Sequence, residues 1–176
     1  MKRVLMLCFA VLLLCQATAF AAHTPHFIPK EELSIGGISL ECTLGYVKEI
    51  YGEPTEVIRR EHKTNSGKIG TLHYITYKYS DTFVIQGVFS DRRPQGEDDA
   101  RITFIYVEDN SLSTPSGFTV GMPYSKVAEM FGRERQITRQ GRTIYSYATD
   151  RGGFFRLDFY VDDTETIKAI QVWSQE

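Results

Sequence analysis

Two stretches of this chain spell the same segment. Gly37 to Glu53 reads GISLECTLGYVKEIYGE and Gly117 to Arg133 reads GFTVGMPYSKVAEMFGR, in register without a gap at an offset of 80 positions. Gly37/Gly117, Val47/Val127, Glu49/Glu129 and Gly52/Gly132 are identical pairs, and Leu40/Val120, Ile50/Met130 and Tyr51/Phe131 are apolar in both copies. A repeat constrains the fold more than composition does, because each copy must be one supersecondary unit that buries its apolar side against a neighbour. The expectation is a duplicated unit of helix and strands.

The periodicity fills in that unit. Thr43 to Tyr51 predicts a short helix: Leu44, Val47, Ile50 and Tyr51 fall on one stripe, Thr43 caps its start and Gly52 ends it with a positive φ. In the second copy Pro123 suits the first turn, Tyr124, Val127, Met130 and Phe131 form the stripe, and Gly132 stops it. After each helix the period falls to two. Strands are predicted over Glu56 to Glu61, Leu72 to Tyr79, Phe83 to Phe89 and Arg101 to Glu108, then over Arg135 to Arg139, Thr143 to Ala148, Phe154 to Val161 and Ile167 to Trp173. Gln140-Gly141 is a tight-turn signal, Asp150-Arg151-Gly152-Gly153 a short loop and Ser80-Asp81 a weaker turn, so successive strands are antiparallel.

A four-stranded sheet under one short helix is marginal alone. The predicted class is therefore α+β: two tandem helix-plus-antiparallel-meander repeats forming a larger sheet, with short helices on one face and the other face open. The predicted boundaries are an extended leader over 22–34, a first unit over 35–109, a linker over 110–116 and a second unit over 117–176. The first unit carries two exposed loops, Lys63 to Gly70 and Ser90 to Asp99; the latter holds Arg92-Arg93-Pro94 and then Glu97-Asp98-Asp99.

The first 21 residues read as a signal peptide. Lys2 and Arg3 precede an apolar run from Val4 to Cys15, and Ala19-Phe20-Ala21 offers small residues where a signal peptidase reads. The run is roughly a dozen residues, short of the ~20 that span a bilayer, so no integral span is expected after cleavage. Leu14 before Cys15 and Leu7 before Cys8 argue against lipidation. Loss of Lys2 and Arg3 would take the net charge from −2 to −4, which gives no electrostatic footprint for nucleic acid. Cys42 would remain as the single cysteine, unable to form an intramolecular disulfide and expected as a small apolar residue before the helix. The predicted location is periplasmic or secreted.

Chemistry-bearing motifs are absent from the sequence. His23, His26, His62 and His73 are scattered, with no Gly-x-Ser-x-Gly elbow and no His-Glu-x-x-His zinc signature. Glu97-Asp98-Asp99 and Asp162-Asp163 lack the alternating spacing of a calcium loop, and Gly36-Gly37 and Gly152-Gly153 lack the Gly-Lys-Ser/Thr of a nucleotide cradle. The expectation is a non-enzyme with no cofactor and no metal.

The second copy runs Phe118-Thr119-Val120-Gly121-Met122 through Met130-Phe131-Gly132, then Leu157-Asp158-Phe159-Tyr160-Val161-Asp162-Asp163. This pattern resembles the fold group of the BamE/SmpA-OmlA lipoproteins and the β-lactamase inhibitory protein, and the tandem arrangement resembles the latter. The first copy departs from it with Glu41-Cys42 in place of Gly-Met, and glutamate disfavours a positive φ. The resemblance implies a non-catalytic, protein-binding module of the cell envelope or exterior.

Aromatic residues carry the binding expectation; the chain has 11 Phe, 10 Tyr and a single Trp. Within Phe154 to Val161, Phe155, Leu157, Phe159 and Val161 form an apolar set for the core, while Phe154, Arg156, Asp158 and Tyr160 form a mixed set for the other face. Gln171 and Trp173 alternate in the same way against Ile170 and Val172, and Tyr145 and Tyr147 share one face, left unassigned. A face bearing Tyr, Trp, Arg and Asp has the composition of a protein-binding hot spot. The predicted site is Arg156, Asp158, Tyr160, Gln171 and Trp173, with Arg92 and Arg93 on a hairpin loop for specificity and another protein as partner. The alternative is a small-molecule or peptide carrier using a groove between the repeats.

Overall fold

The structure, a computed structural model, describes residues 26–65, 67–92 and 96–175. The predicted signal peptide, His23 and Arg93 lie outside them. A short hairpin, β1 (Ser34–Ile35) and β2 (Ile38–Ser39), leads into helix α1 (Leu44–Tyr51) and a meander of β3 (Glu56–Lys63), β4 (Thr71–Ser80), β5 (Phe83–Ser90) and β6 (Arg101–Val107). Helix α2 (Ser125–Phe131) then leads into β7 (Gln136–Arg139), β8 (Arg142–Ala148), β9 (Phe155–Val161) and β10 (Ile167–Ser174). The eight strands of the two meanders make one antiparallel sheet in the order β3-β4-β5-β6-β10-β9-β8-β7. The last strand of each meander thus meets the other at the centre, with Val172 opposite Ile105 and Ile170 opposite Val107.

Strand alternation builds the core. One row across the sheet runs Tyr77, Ile85, Ile105, Val172, Leu157 and Tyr147, and every member is 0% exposed. Fully burying one aliphatic side chain of this kind is worth about 1.5–3 kcal/mol. Both helices cover this face. Leu44 of α1 lies over Gly87, where an added Cβ would meet the Leu44 Cγ at 2.8 Å. Tyr124, just before α2, stacks on Tyr145 with ring centroids 3.7 Å apart and shares a 2.7 Å hydrogen bond with the Tyr147 hydroxyl. This assigns Tyr145 and Tyr147 to the helix side.

The two helices are docked by matching backbone bonds. The Leu44 N–H donates to the Ala100 carbonyl at 3.0 Å and the Ile102 N–H to that of Cys42 at 3.2 Å. The Tyr124 N–H donates to Glu165 at 2.8 Å and the Ile167 N–H to Met122 at 2.9 Å. Thr43 caps α1 by accepting from the Tyr46 N–H. The entry loops differ where the sequence departs: Gly121 has φ +92°, whereas Glu41 stays out of the positive-φ region.

Three segments depart from expectation, as do Ile50 and Met130, which the helix stripes place inward and which are exposed. The leader is packed down from residue 26 onward: Ile28 and Leu33 are core residues, and the Ile28 N–H donates to the Ala148 carbonyl at 3.0 Å. Two apolar side chains and one edge hydrogen bond are enough to hold it against the sheet. The 110–116 linker is tied in as well, with Thr114 buried and the Ser113 carbonyl accepting from the Gly36 N–H. Phe155, expected in the core, is partly exposed at the start of β9. Among the described residues no helix is long and apolar enough to cross a membrane.

Candidate functional site

Side chains one residue out of step with the core row fall on the face away from the helices. The row through Thr76, Gln86, Phe104, Trp173 and Arg156 neighbours the row through Lys78, Val84, Tyr106, Gln171, Asp158 and Ser146. Phe104, Tyr106, Arg156, Tyr160 and Trp173 are all half-buried, as expected for long side chains lying against each other on an uncovered sheet.

Asp158 organises this face from beneath. It is 0% exposed. Its carboxylate accepts from the Ser146 hydroxyl at one oxygen and from the Trp173 Nε1–H at the other, 2.9 Å away. Arg156 Nη1 donates to the same Ser146 oxygen at 3.0 Å. Burial pushes the Asp158 carboxyl above the usual aspartate range, opposed by the Ser146 and Trp173 hydrogen bonds and then by the charges of Arg139 and Arg156. Gln171 is also buried, its side-chain oxygen accepting from the Tyr160 hydroxyl at 2.7 Å. Asp158 and Gln171 therefore hold Trp173 and Tyr160 in place and present no surface of their own.

A second network lies beside the first. Arg142 donates to the Tyr106 hydroxyl at 2.8 Å and to Glu108 at 3.3 Å, and Tyr106 in turn donates to Glu108. Burial, reinforced by Glu108 and opposed by Arg142, pushes the Tyr106 hydroxyl up to about 12. The Arg142 guanidinium lies 5.9 Å from the Tyr160 ring centre, and that of Arg139 lies 5.6 Å from the Trp173 ring, both within the reach of a cation–π contact. Tyr106 meets Tyr160 edge-on at 6.1 Å.

Two shallow depressions result. One, about 570 Å³, is lined by Val84, Phe104, Tyr106, Arg139, Gln140, Arg142, Tyr160 and Gln171. The other, about 420 Å³, is lined by Tyr74, Gln86, Thr103, Phe104, Trp173, Ser174 and Gln175, so Phe104 is common to both. A deeper cavity of about 610 Å³ lies at the end of the sheet, where Leu33, Leu40, Val88, Ile102 and Phe155 meet Lys30, Glu41 and Arg101.

The predicted site residues thus divide. Arg156, Tyr160 and Trp173 are together on the open face with Asp158 and Gln171 under them. Arg92 is exposed elsewhere, on a depression with Lys68, Ile69 and Phe89. The acidic end of its loop is folded toward the helix side: Glu97 accepts from Arg59 at 2.7 Å and from Tyr77 at 3.0 Å, and Lys48 donates to Asp98 at 2.7 Å. Phe104, Tyr106, Arg139 and Arg142 were absent from the predicted set. For Phe104 and Tyr106 the signal is the alternation with buried Ile105 and Val107; for the arginines it is the Gln140-Gly141 turn between them.

No protein-family model matches the chain, and no curated protein matches it. Two solved structures are similar. A DUF4309 family protein (YjgB) from Bacillus subtilis is 16% identical, with 85% of this chain and 88% of that chain covered and a TM-score of 0.41. An extracellular protein containing a SCP domain from Bacillus anthracis is 12% identical, with 84% of this chain and 50% of that chain covered and a TM-score of 0.42. Both likenesses are too distant to bear on the site.

Proposed function

We propose that this chain is an exported, non-catalytic module that binds another protein through the open sheet face, in an envelope-associated or inhibitory role. One observation carries the reading: half-buried Trp173, Tyr160, Tyr106 and Phe104 share the uncovered sheet face, where buried Asp158 holds Trp173, buried Gln171 holds Tyr160, Glu108 and Arg142 hold Tyr106, and Phe104 stacks on Tyr106. Aromatic and arginine side chains dominate binding hot spots, and pre-ordering them lowers the entropy lost on association. Export rests on the basic, apolar and small-residue order of residues 1–21. We further propose that the two helix-plus-meander halves are copies of one unit. The bonds from Leu44 and Tyr124, 80 positions apart, to Ala100 and Glu165, one and two residues ahead of each fourth strand, support it.

The test is affinity capture from envelope and culture-fluid fractions, comparing the parent chain with Phe104→Ala/Tyr160→Ala. That variant leaves Asp158 its Ser146 and Trp173 donors and opens Gln171, freed of the Tyr160 hydroxyl, to water; a urea unfolding curve run beside the capture checks that it is folded. The expected result is a partner held by the parent and lost by the variant; equal capture by both would remove the open face as the binding surface.

The 610 Å³ cavity favours a second reading, a carrier of a small apolar molecule or peptide end. Native mass spectrometry of chain recovered from its host would show a co-purifying ligand in that case, lost on Phe155→Trp.

A further inference from the structure

The open face carries a charge arrangement that its own fold leaves unbalanced. Gln140 and Gly141 have φ of +52° and +75°, the positive pair that a tight hairpin turn requires. The turn sets Arg139 directly opposite Arg142 across β7 and β8. Like charges placed directly opposite each other in a sheet are destabilising. Arg142 is answered by Glu108 at 3.3 Å. Arg139 has no carboxylate within ion-pair distance among the described residues, and its guanidinium rests on the Trp173 ring instead. Asp158 feels its charge but is buried and already accepts from Ser146 and Trp173. Both arginines line the 570 Å³ depression, whose walls are otherwise aromatic rings, Val84 and two amides. A basic, aromatic-walled depression stands out on a chain whose net charge is −2.

We infer that this depression takes an aspartate or glutamate side chain of an extended, acidic segment of the partner protein, seated between Arg139 and Arg142. The inference rests on the protein-binding reading above. A guanidinium offers a fork of donors matched to a carboxylate, and the rings beside the arginines give the neighbouring residues of the segment an apolar surface to cover. The rest of the segment crosses the strands over Phe104 into the second depression, toward Gln86 and Tyr74. From β8 to β4 there are five strand gaps, about 24 Å in all, which about seven extended residues would span.

Trp173 is the single tryptophan of the sequence, so its fluorescence reports on this face without labelling. The probe is a random library of displayed heptapeptides, selected on the exported chain and then titrated against Trp173 emission. The expected result is selected peptides enriched in Asp or Glu that change Trp173 emission. Their affinity should fall at least tenfold in Arg139→Gln, fall with added salt, and fall again when the peptide acid is replaced by its amide. Arg139 is exposed, so Arg139→Gln should fold as the parent does. Peptides that lose binding in Phe104→Ala/Tyr160→Ala yet show no acid preference and ignore Arg139→Gln would overturn this inference and leave the open-face reading standing. Selection yielding no peptide sensitive to either variant would overturn both.

Discussion

The two faces of the central sheet are made by the same strands, one residue apart, and they differ in what burial is for. On the helix side, Tyr77, Ile85, Ile105, Val172, Leu157 and Tyr147 form an unbroken row of fully buried side chains. On the other side the neighbouring row holds Thr76, Gln86, Phe104, Trp173 and Arg156, with no helix over it. Yet that open side is ordered too. Its order comes from hydrogen bonds converging on Asp158, Gln171 and Glu108 rather than from covering apolar layers. Stability should therefore depend on one face and recognition on the other, and substitutions should separate the two.

The largest separation is expected at Leu157, buried between Val172 and Tyr147. Leu157→Ala should destabilise the chain by about 2–5 kcal/mol through lost transfer energy and a residual cavity, read as a lower urea midpoint. A shift below ~1 kcal/mol would show that the row is not continuous core.

Next is Gly87→Ala. Its Cβ would lie 2.8 Å from Leu44 Cγ and 3.2 Å from Ala100 Cβ, so α1 must lift, at about 1–3 kcal/mol for overpacking. Adding Leu44→Ala should make the double variant less unstable than the sum of the singles, a coupling that neighbouring sites show. Strict additivity would mean that α1 does not rest on β5.

Asp158 gives a smaller and pH-dependent effect. Its folded-state carboxyl is raised, mainly by burial. A raised carboxyl leaves its stabilisation complete below the ordinary aspartate range and loses it as pH rises through the folded value. Asp158→Asn cannot ionise, so its stability relative to the parent should improve as pH rises through that window and then stay level. Parallel urea titrations from pH 3 upward would check this; a parent that gains on the variant with rising pH would reverse the sign and the assignment.

The smallest stability effect belongs to Arg139→Gln, an exposed residue with no ion pair of its own. Its unfolding midpoint should move by less than ~0.5 kcal/mol, while binding of an acidic segment falls. A variant that unfolds readily would make Arg139 a structural residue of the β7–β8 hairpin.

Much of the sheet was legible in the sequence because strand alternation and hairpin turns are local signals. The predicted span Phe83 to Phe89 is β5 less one residue, and Thr43 caps α1 as read. The 34–39 hairpin was missed because two-residue strands are too short to show a period, although Gly36-Gly37 marked the turn. The 97–99 turn, read as part of an exposed loop, is tied to Arg59 and Lys48 by ion pairs that span 38 and 50 residues, a separation that no local pattern reports. On the candidate site, alternation put Arg156, Asp158 and Tyr160 on the correct face but said nothing of depth. Asp158 is buried because Trp173, from the adjacent strand, closes over it. Arg139 and Arg142 acquire their role from facing each other across a hairpin, a matter of register.

On the proposed reading, recognition happens on the open face. The most direct measurement is site-specific photo-crosslinking in envelope and culture-fluid fractions, with a benzophenone-bearing residue at Thr76 or Val84 on that face and at Tyr46 or Met130 on the outer side of the helices. Tyr46 and Met130 are the fair contest, since they are 42% and 57% exposed. Recognition by the open face gives a discrete adduct with one protein from Thr76 and Val84 and none from Tyr46 and Met130. Adducts confined to Tyr46 and Met130 would contradict it and move recognition to the helices.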